Sequence, residues 1–380
     1  MNKKASLYNR IRDILEIART NISRTVNTTQ VIANWLIGRE IVEEEQQGRK
    51  RARYGKKEIE GLSRKLQKEF GSGYSVQNLF YMRQFYQTYP DLIPNVRILH
   101  ALRGKSIGKG STEILHAGGG LLNAANNAYT PGKLTLNLSW VHYRTLLRVE
   151  KPEARKFYEI EATNNNWSGR ELERQINSLL FERLALSKDK RGLLKLATKG
   201  QEIQRPVDAI KDPFIMEFIG LPESHKLVET KLEQALIDNL QSFLMELGKG
   251  FAFVARQERI TMEGDHNYID LVFYHTILKC FILVDLKVGK LTHGDLGQLQ
   301  VYVNYYDQER VSIGDNPTIG LILCTDKNDA VVKYFLGKNQ NQRLFASRYK
   351  LYLPTEKELK EEVKKEMRYL ARPLPDKRKK

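Results

Sequence analysis

The chain of 380 residues carries 62 Lys and Arg against 45 Asp and Glu, a formal net charge of +17 at pH 7. This length favours two or three compact units, and no run approaches the roughly 18 apolar residues of a membrane span. The amino terminus lacks the apolar block of a signal peptide, so we expect a cytoplasmic protein with no membrane partner. Cys280 and Cys324 both lie in apolar runs, which excludes a disulfide framework and a zinc site and predicts buried thiols.

The basic charge is unevenly distributed along the chain. Residues 213–338 carry 12 Lys and Arg against 17 Asp and Glu, whereas the segments before and after this block are basic. Basic flanks predict surfaces that bind a polyanion, with nucleic acid as the leading candidate, and the acidic block predicts a site that concentrates carboxylates. A basic surface kept for solubility or for an acidic partner is the alternative interpretation.

The amino-terminal segment is predicted to be helical. Apolar side chains recur at three- and four-residue intervals over residues 7–47. The pattern indicates two helices, of which the second begins at Asn27 or Thr28 and ends at Gly48.

Residues 57–89 are predicted to form a helix-turn-helix. An amphipathic helix precedes the turn "GSGY", and a second helix follows it, with Ser75 as its cap and Pro90 as its terminator. In a basic protein this arrangement favours DNA recognition, although simple packing of two amphipathic helices gives the same pattern. Four polar side chains of the second helix are of the kind that reach base edges or phosphates: Gln77, Asn78, Arg83 and Gln84.

A weakly patterned stretch separates these helices from a second helical segment. We expect a loop or insert over residues 97–135, which are rich in Gly, Ala and Asn. Beyond it, Ser168 and Glu171 form a capping-box pattern that begins a helix. Residues 1–200 are therefore predicted to be an all-α domain, and residues 201–212 a linker.

The acidic block changes to an α/β pattern. We predict one long helix ended by Gly248, three strands, a second helix and a further strand, which together form a mixed sheet flanked by helices over residues 213–345. A basic helical tail is expected over residues 346–380. The three strands and the helix after them correspond to residues 251–260, 268–274, 280–289 and 293–309.

Three charged residues are embedded in the apolar strands of this block. Asp285 and Lys287 share one face of their strand because residues two apart point the same way. If residues 276–279 turn the chain as a hairpin with His275 opposite Cys280, Asp270 falls directly opposite Asp285. The prediction depends on the register of this turn, because a slip of one residue would separate the two carboxylates.

Two opposed carboxylates repel each other, and a divalent cation removes the conflict. Carboxylates, waters and phosphate oxygens are the ligands that Mg²⁺ takes, and Mn²⁺ is a second candidate. Lys287 would orient or deprotonate the attacking water or stabilise developing negative charge. A third carboxylate is expected from the preceding helix, with Glu233 favoured over Glu229. The alternative is a salt bridge at a strand end, with Asp270 capping its own strand.

These residues resemble the signature of the PD-(D/E)XK nuclease superfamily. Asp270 is followed by 14 residues and then by "DLK" at 285–287, with a Glu-bearing helix before them. The wider sequence is similar to the YhcG family of bacterial nucleases. The similarity is carried by "KDPFIMEFIGL", "YIDLVFYH" and "GQLQVYVNYY" in the acidic block and by "GYSVQNLFYMRQFY" and "NNNWSGRELERQI" before it.

The resemblance implies a PD-(D/E)XK-like core with a divalent metal held by Asp270 and Asp285. It implies Lys287 as the catalytic lysine, Glu233 as the auxiliary acid and Gln298 as an assisting residue on the following helix. Gln298 and Tyr302, four residues apart, are expected on one helical face. Asp285 departs from the commoner Glu by one methylene, which alters the metal geometry.

The sequence therefore predicts a Mg²⁺-dependent hydrolase of endonuclease type that acts on phosphodiester bonds, in DNA rather than RNA. Cleavage of both strands requires two active sites, which favours a homodimer. The alternative is a catalytically silent DNA-binding subunit of a defence or restriction assembly.

Overall fold

The computed structural model describes residues 6–20, 26–47, 52–93, 137–185, 190–221, 228–327, 331, 343–355, 357, 358 and 361. The chain divides into two compact units, Met1–Ile176 with Leu194–Gly200 and Asn177–Leu193 with Gln201–Lys380. The predicted loop at 97–135 and most of the predicted tail lie outside the described residues. Among the described residues, none of the helices combines the length and the apolar character that a bilayer crossing needs.

The first unit is built from helices. Its core joins apolar side chains of the first four helices, including Ile11, Ile37, Leu66 and Leu79, all fully buried. The helices preceding the sheet are α1 Leu7–Thr20, α2 Val26–Gln47, α3 Ala52–Phe70, α4 Val76–Thr88, α5 Trp140–Leu146, α6 Pro152–Asn164, α7 Gly169–Asn177, α8 Leu180–Ala185, α9 Lys190–Lys199 and α10 Pro206–Ala209.

Two predicted helix starts are confirmed by their capping hydrogen bonds. The Ser75 hydroxyl accepts from the Asn78 N–H at 3.3 Å and begins α4, after a single 3-10 turn at Ser72–Tyr74. The Ser168 N–H donates to Glu171 Oε2 at 2.6 Å, and the Glu171 N–H donates back to the Ser168 hydroxyl at 3.3 Å. Helix α3 begins at Ala52, five residues before the predicted start at 57.

The second unit is a mixed sheet flanked by helices, as predicted. Its six strands lie in the order β1-β6-β5-β4-β3-β2, and β3 is antiparallel to both neighbours while the other pairs are parallel. Helices α11 and α12 cover one face of the sheet, and α13 covers the other. The elements are β1 Phe214–Ile215, α11 Glu229–Asp238, α12 Leu240–Leu247, β2 Phe251–Met262, β3 Asp265–His275, β4 Cys280–Lys290, α13 His293–Glu309, β5 Ile319–Asp326 and β6 Leu344–Lys350.

Two features of the second unit differ from the predicted elements. The single long helix is broken at Asn239, whose backbone ψ of 32° ends α11 and whose side chain donates to the Ala235 carbonyl oxygen at 2.9 Å. Residues 346–350 belong to strand β6, so the helical tail does not begin at 346. Cys280 and Cys324 are free and buried, as predicted.

The segments around the predicted linker pack with the second unit. Asp212 accepts from the Arg348 N–H at 3.0 Å and pairs with Lys327 Nζ at 2.7 Å, so this end of the linker is tied to the sheet. Arg183, in α8, forms a fully buried ion pair with Glu246 at 2.6 Å. Residues 177–193 therefore belong to the second unit, which differs from the predicted boundary at residue 200.

Candidate active site

The hairpin register brings the two predicted aspartates to the same place. His275 pairs with Cys280 and the ladder continues to Leu271 opposite Val284, so the predicted register is confirmed. Asp270 lies one residue beyond this last pair, and its Oδ2 accepts from the Leu286 N–H at 2.8 Å. The carboxylate of β3 is thus held against the β4 backbone between Asp285 and Lys287.

Side chains alternate along β4, and for this reason Asp285 and Lys287 face away from the core formed with α11 and α12. Val284 and Leu286 are fully buried in the cluster formed with α11 and α12. Asp285 and Lys287 point to the opposite face, with Lys287 Nζ 3.4 Å from Asp285 Oδ2. The expected sharing of one strand face is therefore confirmed.

Asp285 is a buried carboxylate with few hydrogen-bond partners. It is only 5% exposed, and from the described part of the chain its Oδ2 receives no hydrogen bond beyond the salt bridge with Lys287. Burial and the charge of Asp270 raise the pKa of its carboxyl to about 7. A carboxylate so placed gains from an additional positive charge.

Lys287 is surrounded by carboxylates. Its Nζ lies 3.4 Å from Asp285 and 3.9 Å from both Glu229 and Asp295. Burial alone would lower the pKa of this lysine, but the three carboxylates outweigh burial and raise the pKa above its ordinary value. Asp295 was not predicted, although it completes a Thr-x-x-Asp capping box with Thr292 at the start of α13.

The predicted auxiliary acid Glu233 is buried on α11 beside Asp270. It is 3% exposed and pairs with Arg256 of β2, and its Oε2 accepts from the Gln257 amide at 2.7 Å. The same Gln257 amide nitrogen donates to Asp270 Oδ1 at 3.0 Å. Arg256 and Gln257 were not predicted, because adjacent strand residues normally point to opposite faces and nothing in "FAFVARQERI" marks them. Glu229, the fallback acid, accepts from the Val288 N–H at 3.1 Å.

Gln298 and Tyr302 share one face of α13, as expected. The Gln298 amide donates to the Tyr302 hydroxyl. Burial raises the pKa of Tyr302, and the charges of Asp285 and Asp270 raise it further, which places this phenol within electrostatic reach of the site. Gln298 is itself exposed, and its described hydrogen bond is the one to Tyr302.

The donor set fits a hard divalent cation that retains several waters. Asp285 Oδ2 is buried and short of hydrogen-bond partners, and Asp270 adjoins it. Among the described residues, no group of three or more His, Cys, Asp or Glu side chains is arranged to hold a metal. Two carboxylates completed by waters and a substrate phosphate are what Mg²⁺ commonly takes, whereas a fully protein-made cage is not.

The four predicted nucleic-acid-binding residues of α4 lie in different environments. Gln77 and Gln84 are exposed, although the Gln84 amide comes within 3.4 Å of the Leu147 carbonyl oxygen. Asn78 donates to the Gly73 carbonyl oxygen at 2.8 Å, and Arg83 forms a salt bridge with Glu45 at 2.8 Å. Asn78 and Arg83 therefore already serve the turn and the contact with α2.

Two aromatic residues that were not predicted, Phe80 and Tyr81, lie on the same side of α4 as Gln77 and Gln84. Phe80 is 36% exposed, and the Arg144 guanidinium lies 5.2 Å from the centre of the Tyr81 ring. Positions 77, 80, 81 and 84 follow the three- and four-residue spacing of one helical face. Aromatic and arginine planes of this kind are able to stack on nucleic-acid bases.

Comparisons with known proteins cover both units. Residues 207–365 match the YhcG PDDEXK nuclease domain, and residues 10–183 match the DUF1016 N-terminal domain. The chain is 37% identical over 360 residues to "Putative nuclease YhcG" of Escherichia coli (strain K12), covering 94% of this chain and 93% of that protein.

Two solved structures share weaker likenesses with the chain. A repair endonuclease from Pyrococcus abyssi is 16% identical, with a TM-score of 0.24 over 35% of this chain and 50% of its own. The EndoMS-dsDNA2 complex is 14% identical, with a TM-score of 0.25 over 36% and 51%. At these scores neither likeness supports an inference about this chain.

Proposed function

Because the chain belongs to the YhcG family of PD-(D/E)XK-type nucleases, we propose that it hydrolyses phosphodiester bonds of DNA with the help of Mg²⁺ or Mn²⁺. The observation that carries the proposal is the convergence of Asp270, Asp285 and Lys287 on the neighbouring inner strands β3 and β4. In particular, the buried Asp285 Oδ2 is short of hydrogen-bond donors. Endonucleolytic cleavage is part of the proposal.

Asp270 and Asp285 would hold the cation. A divalent ion bound there would lower the pKa of a water and neutralise the charge of the phosphate in the transition state. In the hydrolysis, a water oxygen bonds to phosphorus, one phosphorus–oxygen ester bond breaks, and the leaving oxygen takes up a proton. Asp270 is suited to holding a fixed position because the Leu286 N–H and the Gln257 amide bind its two oxygens.

Lys287 would act as a charged group. The carboxylates of Asp285, Glu229 and Asp295 favour its protonated ammonium form, because they raise the pKa of Lys287 above its ordinary value. A protonated lysine is a poor base but a good hydrogen-bond donor. The proposal therefore assigns it to orienting the attacking water and to stabilising negative charge on the phosphate.

The amino-terminal helices would supply affinity for DNA. A net charge of +17 favours contact with phosphates, and the Gln77 and Gln84 side chains of α4 are exposed. A homodimer would provide the two active sites that cleavage of both strands requires.

A cleavage assay on the Lys287→Ala variant tests the catalytic role proposed for Lys287. The full chain is incubated with DNA and with RNA in Mg²⁺, in Mn²⁺ and in chelator, beside the control Lys290→Ala, which changes an exposed lysine of the same strand. We expect metal-dependent DNA cleavage by the parent and the control, and none by Lys287→Ala, which should still bind DNA. DNA binding without cleavage under every metal would favour the silent DNA-binding subunit, and preferential RNA cleavage would overturn the choice of substrate.

A double substitution tests the DNA-binding face. Gln77→Ala with Gln84→Ala should weaken DNA binding, since a lost base contact costs about 1–3 kcal/mol, while the thermal unfolding temperature stays close to that of the parent. Unchanged DNA affinity would remove α4 from the proposed interface without affecting the nuclease assignment.

A further inference from the structure

Strand β2 contains a backbone conformation that a regular strand does not use. Gln257 has φ 47°, in the left-handed region, although it lies in the middle of β2. Non-glycine residues in this region are strained, and such strain concentrates at functional sites. By contrast, Glu263 and Lys279, which also have positive φ, lie in the tight turns before β3 and β4, where this conformation is common.

This conformation lets two adjacent residues reach the same carboxylate. Arg256 pairs with Glu233 Oε1, and the Gln257 amide donates to Glu233 Oε2 at 2.7 Å. In a regular strand the side chains of residues 256 and 257 would project from opposite faces of the sheet. The left-handed turn of the backbone at Gln257 therefore serves the contact with Glu233.

The Gln257 amide also connects Glu233 to the proposed metal site. A glutamine amide nitrogen has two N–H groups, and here one donates to Glu233 and the other to Asp270 Oδ1 at 3.0 Å. The second oxygen of Asp270 accepts from the Leu286 N–H at 2.8 Å. Both oxygens of Asp270 are thus held from fixed directions, one by β4 and one by Gln257.

Packing does not account for Gln257. Its side chain is exposed, and β2 is one of the two edge strands of the sheet formed by the described residues. An exposed edge position offers little apolar burial in return for a left-handed backbone. The contacts that this conformation does provide are the two hydrogen bonds from the Gln257 amide to the neighbouring carboxylates of Glu233 and Asp270.

We infer that Gln257 is a positioning residue for the proposed metal site, because its amide holds Asp270, a proposed metal ligand, in a fixed arrangement relative to the auxiliary acid Glu233. The inference rests on the proposed metal-dependent function. Residues that orient metal ligands through hydrogen bonds typically change metal affinity by about 10–100-fold when they are replaced.

Gln257→Gly separates this role from a structural one. Glycine accepts positive φ without strain, so the substitution removes the amide while it relieves the backbone. Lys279→Gly is the matched control, since it relieves a similar φ of 50° in a hairpin turn. Gln257→Asn is a second variant that tolerates the left-handed region but is one methylene too short to span both carboxylates.

The measurements are the thermal unfolding temperature of the full chain, Mn²⁺ binding by calorimetry, and the Mn²⁺ concentration that gives half-maximal cleavage. For Gln257→Gly we expect an unfolding temperature equal to or above that of the parent, Mn²⁺ binding at least about 10-fold weaker, and a matching rise in the half-maximal Mn²⁺ concentration. Gln257→Asn should shift in the same direction, and Lys279→Gly should bind Mn²⁺ as the parent does.

Two results would overturn the inference and are distinguishable. If the parent binds Mn²⁺ and cleaves DNA but Gln257→Gly binds Mn²⁺ equally well, the positioning role is refuted and the proposed function stands. If the parent neither binds Mn²⁺ nor cleaves, the proposed function fails and the positioning role fails with it.

Discussion

Replacing Asp285 by Asn should stabilise the metal-free chain, and the gain should depend on pH. Burial and the neighbouring Asp270 raise the pKa of this carboxyl from 3.8 to about 7 in the folded protein. Each pH unit between these two values corresponds to about 1.4 kcal/mol, so the ionised carboxylate costs about 4 kcal/mol of folding free energy above pH 7. Asparagine keeps the shape of the side chain without the charge.

The direction of the effect follows from proton binding. The folded chain binds the Asp285 proton more tightly than the unfolded chain does, so stability falls as pH rises from about 4, where the unfolded carboxyl ionises, to about 7, where the folded one does. Above pH 7 the cost is constant. Asp285→Asn lacks this contribution, and its advantage over the parent should therefore grow between pH 4 and 7 and then level off.

Thermal unfolding in chelator from pH 4 to pH 8 measures the difference. At pH 8 the unfolding temperature of Asp285→Asn should exceed that of the parent by roughly 10 °C, given about 2–4 °C per kcal/mol for a unit of this size. Added Mg²⁺ should raise the unfolding temperature of the parent and leave that of the variant nearly unchanged. The exposed Asp326, replaced by Asn, serves as the control and should show no such pH-dependent gain. A difference that stays flat or shrinks as pH rises would refute the reasoning.

Two further substitutions test how the second unit is held together. Arg183→Met removes the fully buried ion-pair partner of Glu246 and should lower the free energy of unfolding, measured by urea titration, by about 3–5 kcal/mol. The control Arg148→Met breaks an exposed ion pair and should lower it by at most about 1 kcal/mol. Gly320→Ala places a Cβ 2.7 Å from side-chain atoms of the core and should lower the urea midpoint by the equivalent of about 1–3 kcal/mol. In the control Gly297→Ala the new Cβ has no atom within 4 Å, so the midpoint should not fall. Equal midpoints for the two glycine variants would contradict the packing around Gly320.

The register of the β3–β4 hairpin could be predicted because two constraints coincide. The apolar alternation of β3 and β4 fixes which side chains face the core, and a four-residue turn at 276–279 fixes the pairing. Slipping either strand by one residue would move Asp270 or Asp285 into the fully buried cluster. The positions of the charged residues in the sequence are therefore sufficient to predict the register of the two strands.

Strand β6 and the partners of Glu233 could not be predicted in this way. In β6, Arg348 interrupts the apolar pattern, and its backbone N–H binds the side chain of Asp212, more than 100 residues away in the sequence. Arg256 and Gln257 meet Glu233 only because of a local backbone conformation. Long-range hydrogen bonds and single left-handed residues leave no periodic signal in the sequence.

The site contains more acidic than basic groups, and this imbalance bears on its mechanism. Asp270, Asp285 and Glu233 lie together, and Gln257 links Asp270 to Glu233. Among the described residues, Lys287 and Arg256 form the salt bridges to these carboxylates. A fully neutralised cluster would be more stable without a cation and would gain little by binding one. Here burial and mutual repulsion raise the pKa of Asp285 towards neutrality, so the proposed divalent cation would relieve a cost already present in the folded chain. The apolar faces of β3 and β4 hold the carboxylates in place against that repulsion, which is why a strongly packed sheet and an unfavourable charge arrangement occur on the same two strands.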